Sequence, residues 1–379
     1  MKILFIIQGE GRGHLTQAIS LRKKLLREGH QIAGVLVGKS PARWLPDFFY
    51  QKIETEVHTF ESPNFLPTAK NKQVNLLNSI SYNVLRSHKY VQSIRYINRM
   101  IRETEAEVVV NFYELLSGLT YAFCRPKAEM VCIAHQYIFL HPDFKFPGSN
   151  PCLLALLRFF TRLTAIGANK KLALSFRSMR EITKDHLVVV PPLLRDEILK
   201  LQPENGDYLL GYVINSGFSE EVIKWHRNNP EVDIRFFRDN KKTAEQTVVN
   251  GRLSFHPLND ERFLHDMAGA KGYATTAGFE SVCEAMYLGK PVLMVPAHIE
   301  QECNAYDASK AGAGIVSSGF ELDRLLELSE TYKPNAYFKH WVDRADWIIL
   351  REFDPDLIFR DHSSLLNTYS PFGGRAVKF

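Results

Sequence analysis

Only five cysteines occur in 379 residues (Cys124, Cys132, Cys152, Cys283 and Cys303), and they form no CxxC pair and no Cys/His ligand array. That scarcity argues against a disulfide framework and a structural zinc site, and points to a reducing, cytoplasmic compartment in which the thiols pack. No apolar run reaches the ~18 residues of a spanning helix. The nearest, LLALLRFFTRLTAIGA at 153–168, is broken by Arg158 and Arg162. The opening MKILFIIQGEGRGH has one lysine and a short apolar run ending in glycines, so it reads as a buried first strand and not as a secretory signal. Arginine-rich arms and zinc-finger spacings are missing too, so nucleic acid is not expected as a partner. The charge excess is small, +5 from 47 basic and 42 acidic residues. It suits an anionic diphosphate or an anionic membrane surface and does not choose between them.

What is present is an ordinary globular composition, 45% hydrophobic and 23% charged, in a chain long enough for two cores. Short β-branched runs alternate with helix-length amphipathic stretches, the pattern of a parallel sheet covered by helices. In the first half KILFIIQ (2–8), QIAGVLV (31–37), EVVVNF (107–112), EMVCIA (129–134) and KLALSF (171–176) read as strands. LTQAISLRKKLLREG (15–29) reads as a helix closed by Gly29, and 76–104 as a long helical region. A Pro-rich, charged segment at 191–206 reads as a linker. A second series follows, with strands at 207–214, 232–237, 252–257, 271–275 and 291–296 and helices at 219–228, 260–268, 279–288 and 301–311. The expected fold is α/β, with two Rossmann-like domains facing a cleft. The first covers residues 1–190 and the second 207–336. A C-terminal segment at 337–379 packs back on the first domain through a helix with Trp341, Trp347 and Phe353 on its apolar face.

The most specific stretch is TAGFESVCEAMYLGKPVLMVPAHIEQECNA, 276–305. After the strand KGYAT, the small residues Thr276, Ala277 and Gly278 form the turn into a helix near Phe279. Free amides and the helix dipole there favour a diphosphate. Ser281, in the first turn, can add a hydroxyl donor, and Glu284, one turn on, can accept from both ribose hydroxyls. Glu300 and Gln301 follow the next strand at the carboxyl edge of the sheet, where they can read a sugar. Each residue taken singly has a plainer reading, as a helix cap or a solvated side chain. The whole string resembles the donor-binding motif of GT-B glycosyltransferases such as the peptidoglycan N-acetylglucosaminyltransferase, galactolipid synthases and glucuronosyltransferases. The matching positions are Ala277, Gly278, Ser281, Glu284, Gly289, Pro291, Pro296, Glu300, Gln301, Asn304 and Ala305. Glu300 stands where the family usually has Asp.

The second stretch, QGEGRGHLTQA (8–18), follows the first strand. Gly9, Gly11 and Gly13 form a GxGxG turn, and the run resembles the Gly-His loop that opens the acceptor domain of the same enzymes. His14 then stands at a helix N-terminus, where the dipole disfavours imidazolium and a neutral ring can take a proton from an acceptor hydroxyl. A capping or packing histidine is the alternative. Glu114 opens the helix after EVVVNF; it can orient His14, bind the acceptor, or simply sit as an N-terminal carboxylate. His135 and Gln136 are similarly placed candidates for acceptor contacts. By position in the family, Asn215, Ser216 and Gly217 offer backbone donors to diphosphate or sugar, with Ser219 as an alternative helix cap. His256 and Leu258 stand where relatives hold the base.

The resemblance implies transfer of a sugar from a nucleoside diphosphate-sugar, UDP-linked, to an acceptor hydroxyl, with inversion. No DxD-like carboxylate pair is placed for a metal, so no metal or resident cofactor is expected; the nucleotide-sugar is a co-substrate. A lipid-linked acceptor or a small glycoside are the candidate partners. Aromatics among basic residues at 41–75 (Trp44, Phe48, Phe49, Phe60, Phe65) suit either a buried core or a peripheral contact with the inner face of the membrane. A nucleotide-sugar 2-epimerase and a non-catalytic nucleotide-sugar-binding protein are the alternatives on this fold.

Overall fold

The computed structural model describes residues 1–41, 43–63, 86–148, 150–213, 217–238 and 247–354. Two seven-stranded sheets organise them. The first is built from β1 (Lys2–Gln8), β2 (Gln31–Lys39), β3 (Val57–Glu61), β4 (Val108–Phe112), β5 (Glu129–Ala134), β6 (Lys170–Leu174) and β7 (Leu187–Val190), in the order β3-β2-β1-β4-β5-β6-β7. Every pairing is parallel. The second contains β8 (Tyr208–Val213), β9 (Asp233–Arg238), β10 (Thr247–Asn250), β11 (Leu253–Pro257), β12 (Gly272–Thr275), β13 (Val292–Met294) and β14 (Gly314–Val316). Its order is β10-β11-β9-β8-β12-β13-β14, with only the edge strand β10 antiparallel.

Helices cover both faces of each sheet, which is why the central strands read as unbroken apolar runs. Ile3 to Ile7 of β1 are fully buried. In both sheets the strand order reverses beside the first strand, between β1 and β4 and between β8 and β12. Open α/β sheets bind ligands at that reversal, beyond the carboxyl ends of the strands. The loops there are Gly9–Gly11 after β1, Tyr113–Glu114 after β4, and Thr276–Gly278 after β12.

Among the helices that matter below, α1 is Arg12–Arg27, α2 Asp47–Ile53, α3 Ser87–Glu103, α4 Leu115–Cys124, α5 Pro151–Thr164, α6 Asp196–Lys200, α7 Gly217–Asn228 and α8 Asp260–Gly269. They are followed by α9 Phe279–Tyr287, α10 Ile299–Lys310, α11 Leu322–Thr331, α12 Ala336–Asp343 and α13 Ala345–Leu350. The expected closing helix is therefore two helices, broken at Arg344. They do return to the first sheet: Trp341 Nε1 donates to the Ser175 carbonyl at 3.0 Å, and Lys24 Nζ is hydrogen-bonded to Asp346. Trp341 and Phe353 are buried as expected, but Trp347 is 37% exposed, flanked by the guanidinium groups of Arg344 and Arg351. Two cations stacked on an indole keep it at the surface instead of in the core. The expected helix at 76–104 is observed over Ser87–Glu103; residues 76–85, with Phe65, lie outside the described residues.

Of the 41–75 aromatics, Phe49 and Phe60 are buried while Trp44 is exposed. Leu153, Leu156 and Phe159 of α5 form an exposed apolar stripe. No described helix is long and apolar enough to cross a membrane.

Candidate active site

The site lies where the two reversal points face each other. On the first half, Gly11 is the N-cap of α1 and carries no side chain to satisfy the free amides of the first turn. Gly13 and His14 follow in that turn. A Cβ on Gly13 would sit 3.0 Å from Cγ of Glu280, so glycine here lets the second half approach. His14 is buried and stacked on Tyr113, ring centroids 5.7 Å apart. Its Nδ1 lies 3.4 Å from Oε1 of Gln17, one helical turn on. Burial pushes the imidazole down to about 4, with the Gln17 hydrogen bond opposing the shift. The ring is therefore a neutral base at physiological pH.

Tyr113 supports this face at a cost. Its φ of 62° is left-handed, a conformation that disfavours a side chain by roughly 1–2 kcal/mol. The stack on His14 and a 2.8 Å hydrogen bond between its hydroxyl and Thr161 Oγ1 hold it there. Glu114, next in sequence, does not take the role of orienting His14, which falls to Gln17. Oε1 of Glu114 accepts from Ser62 Oγ at 2.5 Å and from the Leu116 amide at 3.0 Å, which makes Glu114 the cap of α4. Burial raises its carboxyl to about 7, and Oε2 is without a hydrogen-bond partner.

On the second half, Gly278 is the N-cap of α9 and again offers no side chain, so the first-turn amides face the cleft unsatisfied by a cap. The turn before it is strained at Ala277, φ 63°, and braced from behind. Asn304 Nδ2 donates to the Ala277 carbonyl at 3.3 Å, and Gln301 Nε2 donates to Thr276 Oγ1 at 3.4 Å. Gln301 Oε1 accepts from the Ala297 amide at 2.9 Å, so one end of that side chain holds the turn and the other its own loop, where the sequence placed it on a sugar. Ser281 Oγ donates back to the Gly278 carbonyl at 3.3 Å, not outward. Glu300 accepts from Gln136 Nε2 at 3.0 Å, a bond that joins the two halves.

Glu284 also departs from expectation. Its carboxylate is 2% exposed and Oε1 accepts from Arg195 Nε at 2.7 Å, with Arg195 Nη2 2.5 Å away. Arg195 precedes α6, in the segment between the sheets, and also pairs with Asp260. A buried carboxylate needs such a partner, and Arg195 of the linker supplies it. Net burial still raises Glu284, against the pull of Arg195.

Further residues complete the cleft, none singled out by the sequence in these roles. Glu280 accepts from Gln17 Nε2 at 2.5 Å across the cleft, and burial pushes its carboxyl to about 8. It is therefore largely uncharged at pH 7 and does not repel an anion at the α9 terminus. Phe279 stacks on His135 with centroids 3.8 Å apart and packs on Phe176 at 4.8 Å, forming an aromatic joint between the halves. His135 is thus a joint residue rather than an acceptor contact, with Nδ1 bonded to the Leu174 carbonyl at 2.8 Å. Gln17 was legible in principle: i+3 from His14 puts it on the same helix face. Glu280 had no such signal, since its partner lies 263 positions away.

The remaining expectations are peripheral. Asn215 and Ser216 lie outside the described residues, and Gly217 opens α7. Ser219 stands inside that helix and does not cap it. His256 is buried, with Nε2 2.8 Å from Ser254 Oγ. The Leu258 amide is committed to the Arg238 carbonyl at 3.2 Å, leaving only its carbonyl for a base. Among the described residues no group of three His, Cys, Asp or Glu is placed to hold a metal ion.

Comparison with known proteins agrees with this architecture. No curated protein matches the sequence. Solved structures match over nearly the whole chain. The glycosyltransferase of kitacinnamycin is 13% identical, with 95% of this chain and 98% of that one covered and a TM-score of 0.58. The spinosyn forosaminyltransferase SpnP is 13% identical, with 94% and 98% covered and a TM-score of 0.59. Arabidopsis thaliana UGT89C1 complexed with quercetin is 13% identical, with 91% and 94% covered and a TM-score of 0.60. These likenesses establish the two-domain GT-B fold. Because the family model for glycosyl transferase family 1 matches residues 1–328, the chain belongs to that family of glycosyltransferases.

Proposed function

We propose that the chain transfers a sugar from a UDP-sugar to an acceptor hydroxyl, by single displacement with inversion and without a metal. One observation carries the reading: a neutral buried histidine and an uncapped helix N-terminus face each other across the cleft, joined through Gln17 and Glu280. His14 takes the proton of the acceptor hydroxyl as the acceptor oxygen bonds to the anomeric carbon. The bond from that carbon to the diphosphate breaks, and the first-turn amides and dipole of α9 stabilise the charge the leaving group gains. The closed halves exclude water, which limits hydrolysis of the donor.

Support for the donor class comes from structural neighbours in complex with UDP, UDP-L-rhamnose and thymidine diphosphate. Quercetin in a further complex of the same neighbour, UGT89C1, favours an acceptor hydroxyl on an apolar scaffold. Glu284 is proposed for the ribose hydroxyls, a role that requires exchange of its bonds to Arg195. The test is a thermal-shift series with UDP, GDP and TDP. A ligand at a hundred times its Kd stabilises the folded state by about 2.7 kcal/mol. UDP should raise the melting temperature most; no shift with any of the three would overturn the reading. Conversion of UDP-N-acetylglucosamine to its epimer without an acceptor would replace it with the epimerase.

A further inference from the structure

Gln17 faces two ways. Its Nε2 donates to Oε1 of Glu280, 2.5 Å away on the opposite half, which leaves its own Oε1 turned to Nδ1 of His14 at 3.4 Å. An amide oxygen only accepts hydrogen bonds. The proton on the His14 ring must therefore be on Nδ1, and Nε2 keeps the lone pair. If the Gln17 amide rotated by half a turn, its NH2 would meet Nδ1, the ring proton would move to Nε2, and the base would be blocked. Nothing on α1 itself prevents that rotation. Glu280 opposes it: its Oε1 accepts from Gln17 Nε2 in the structure, and only a carboxyl protonated on that same oxygen could donate to a turned amide.

We propose that Gln17 and Glu280 are positioning residues that fix the tautomer of His14, and that they do so only while the two halves are closed on each other. The inference rests on His14 being the acceptor base. Gln17 belongs to α1, which follows the first strand of the first sheet, whereas Glu280 belongs to α9, which follows β12 of the second. Opening the cleft separates the pair and frees the amide. The closure is close-fitting: Gly13 has no Cβ where Glu280 Cγ passes, and Phe279, next to Glu280, is seated between His135 and Phe176. The other ionisable groups facing this pair are Glu284 and Arg195 beside Glu280, and Tyr113 against His14. A base whose lone pair is aligned only in the closed state spares the donor from activated water while the cleft is open.

The test combines two readouts on the full-length protein. Nitrogen-15 imidazole shifts, assigned with His14→Asn, report the tautomer directly, and steady-state kinetics report turnover. The wild type should show the Nδ1–H tautomer. Gln17→Leu and Glu280→Leu should show a mixture or the Nε2–H form, with kcat down about ten- to hundredfold and donor KM within about threefold. Glu280→Gln retains an acceptor oxygen and should restore most of the turnover, which a purely space-filling role for Glu280 would not predict over leucine. An Nε2–H tautomer in the wild type overturns the proposal, as do unchanged tautomer and kcat in Glu280→Leu of normal melting temperature. Full turnover by His14→Ala would instead remove the base assignment, while the tautomer measurement still decides the relay.

Discussion

Arg195 and Glu284 form a buried ion pair that ties the segment between the sheets to the helix following β12, with Nε and Nη2 of the arginine 2.7 and 2.5 Å from the same carboxylate oxygen. Asp260 takes the remaining side of the guanidinium. Removing one partner of such a pair strands the other charge in a poorly solvated place, which costs about 3–5 kcal/mol. Arg195→Met should lower urea-unfolding stability by that order, whereas a substitution at exposed Arg324 should be near neutral.

The same pair tests the ribose assignment. Glu284→Gln should weaken UDP binding about tenfold, the scale of one hydrogen bond to a charged group. Calorimetric titration with UDP measures this. Unchanged affinity together with lost stability would leave Glu284 as a brace for the linker alone.

His14→Ala should reduce kcat by about 10²–10⁴ while leaving UDP affinity within about threefold, because a base acts on the acceptor and not on the donor. Stopped turnover assays with titrated donor separate the two effects. The acid limb of kcat/KM should fall near pH 4 rather than 6.5, since burial holds the ring neutral down to about 4.

Stability should carry an opposite signature at Glu114. Its carboxyl is raised from 4.5 to about 7, so the folded chain holds a proton that the unfolded chain releases between those values. Folding stability from this group therefore falls as pH rises from 4.5 to 7, by an amount on the order of 3 kcal/mol. Glu114→Gln, which has no proton to lose, should melt above the wild type at pH 8 and converge with it at pH 5. Scanning calorimetry at the two pH values checks the sign.

EDTA should leave turnover unchanged if the α9 terminus alone meets the charge of the leaving diphosphate. Loss of activity restored by a divalent cation would contradict metal-free transfer.

The alternation of apolar runs with amphipathic stretches was enough to indicate two doubly wound sheets, because strands buried on both faces and helices with one apolar side leave separate periodic marks. The glycines before His14 and the small residues before Phe279 were legible for the same local reason: a chain must turn tightly between strand and helix, and few side chains allow it. What those loops face was not local. Glu284 looked unpartnered until the fold brought Arg195 beside it from 89 positions away. Gln301 looked like a sugar contact until both ends of its amide were taken up by Thr276 and Ala297. Trp347 fitted an apolar stripe, but a break at Arg344 turned it outward between two guanidiniums. Sequence pattern determines which face of an element is buried, since that depends on neighbours three or four positions away. The partner each buried polar group finds was decided only when two distant segments met and desolvation required their charges and hydrogen bonds to be matched.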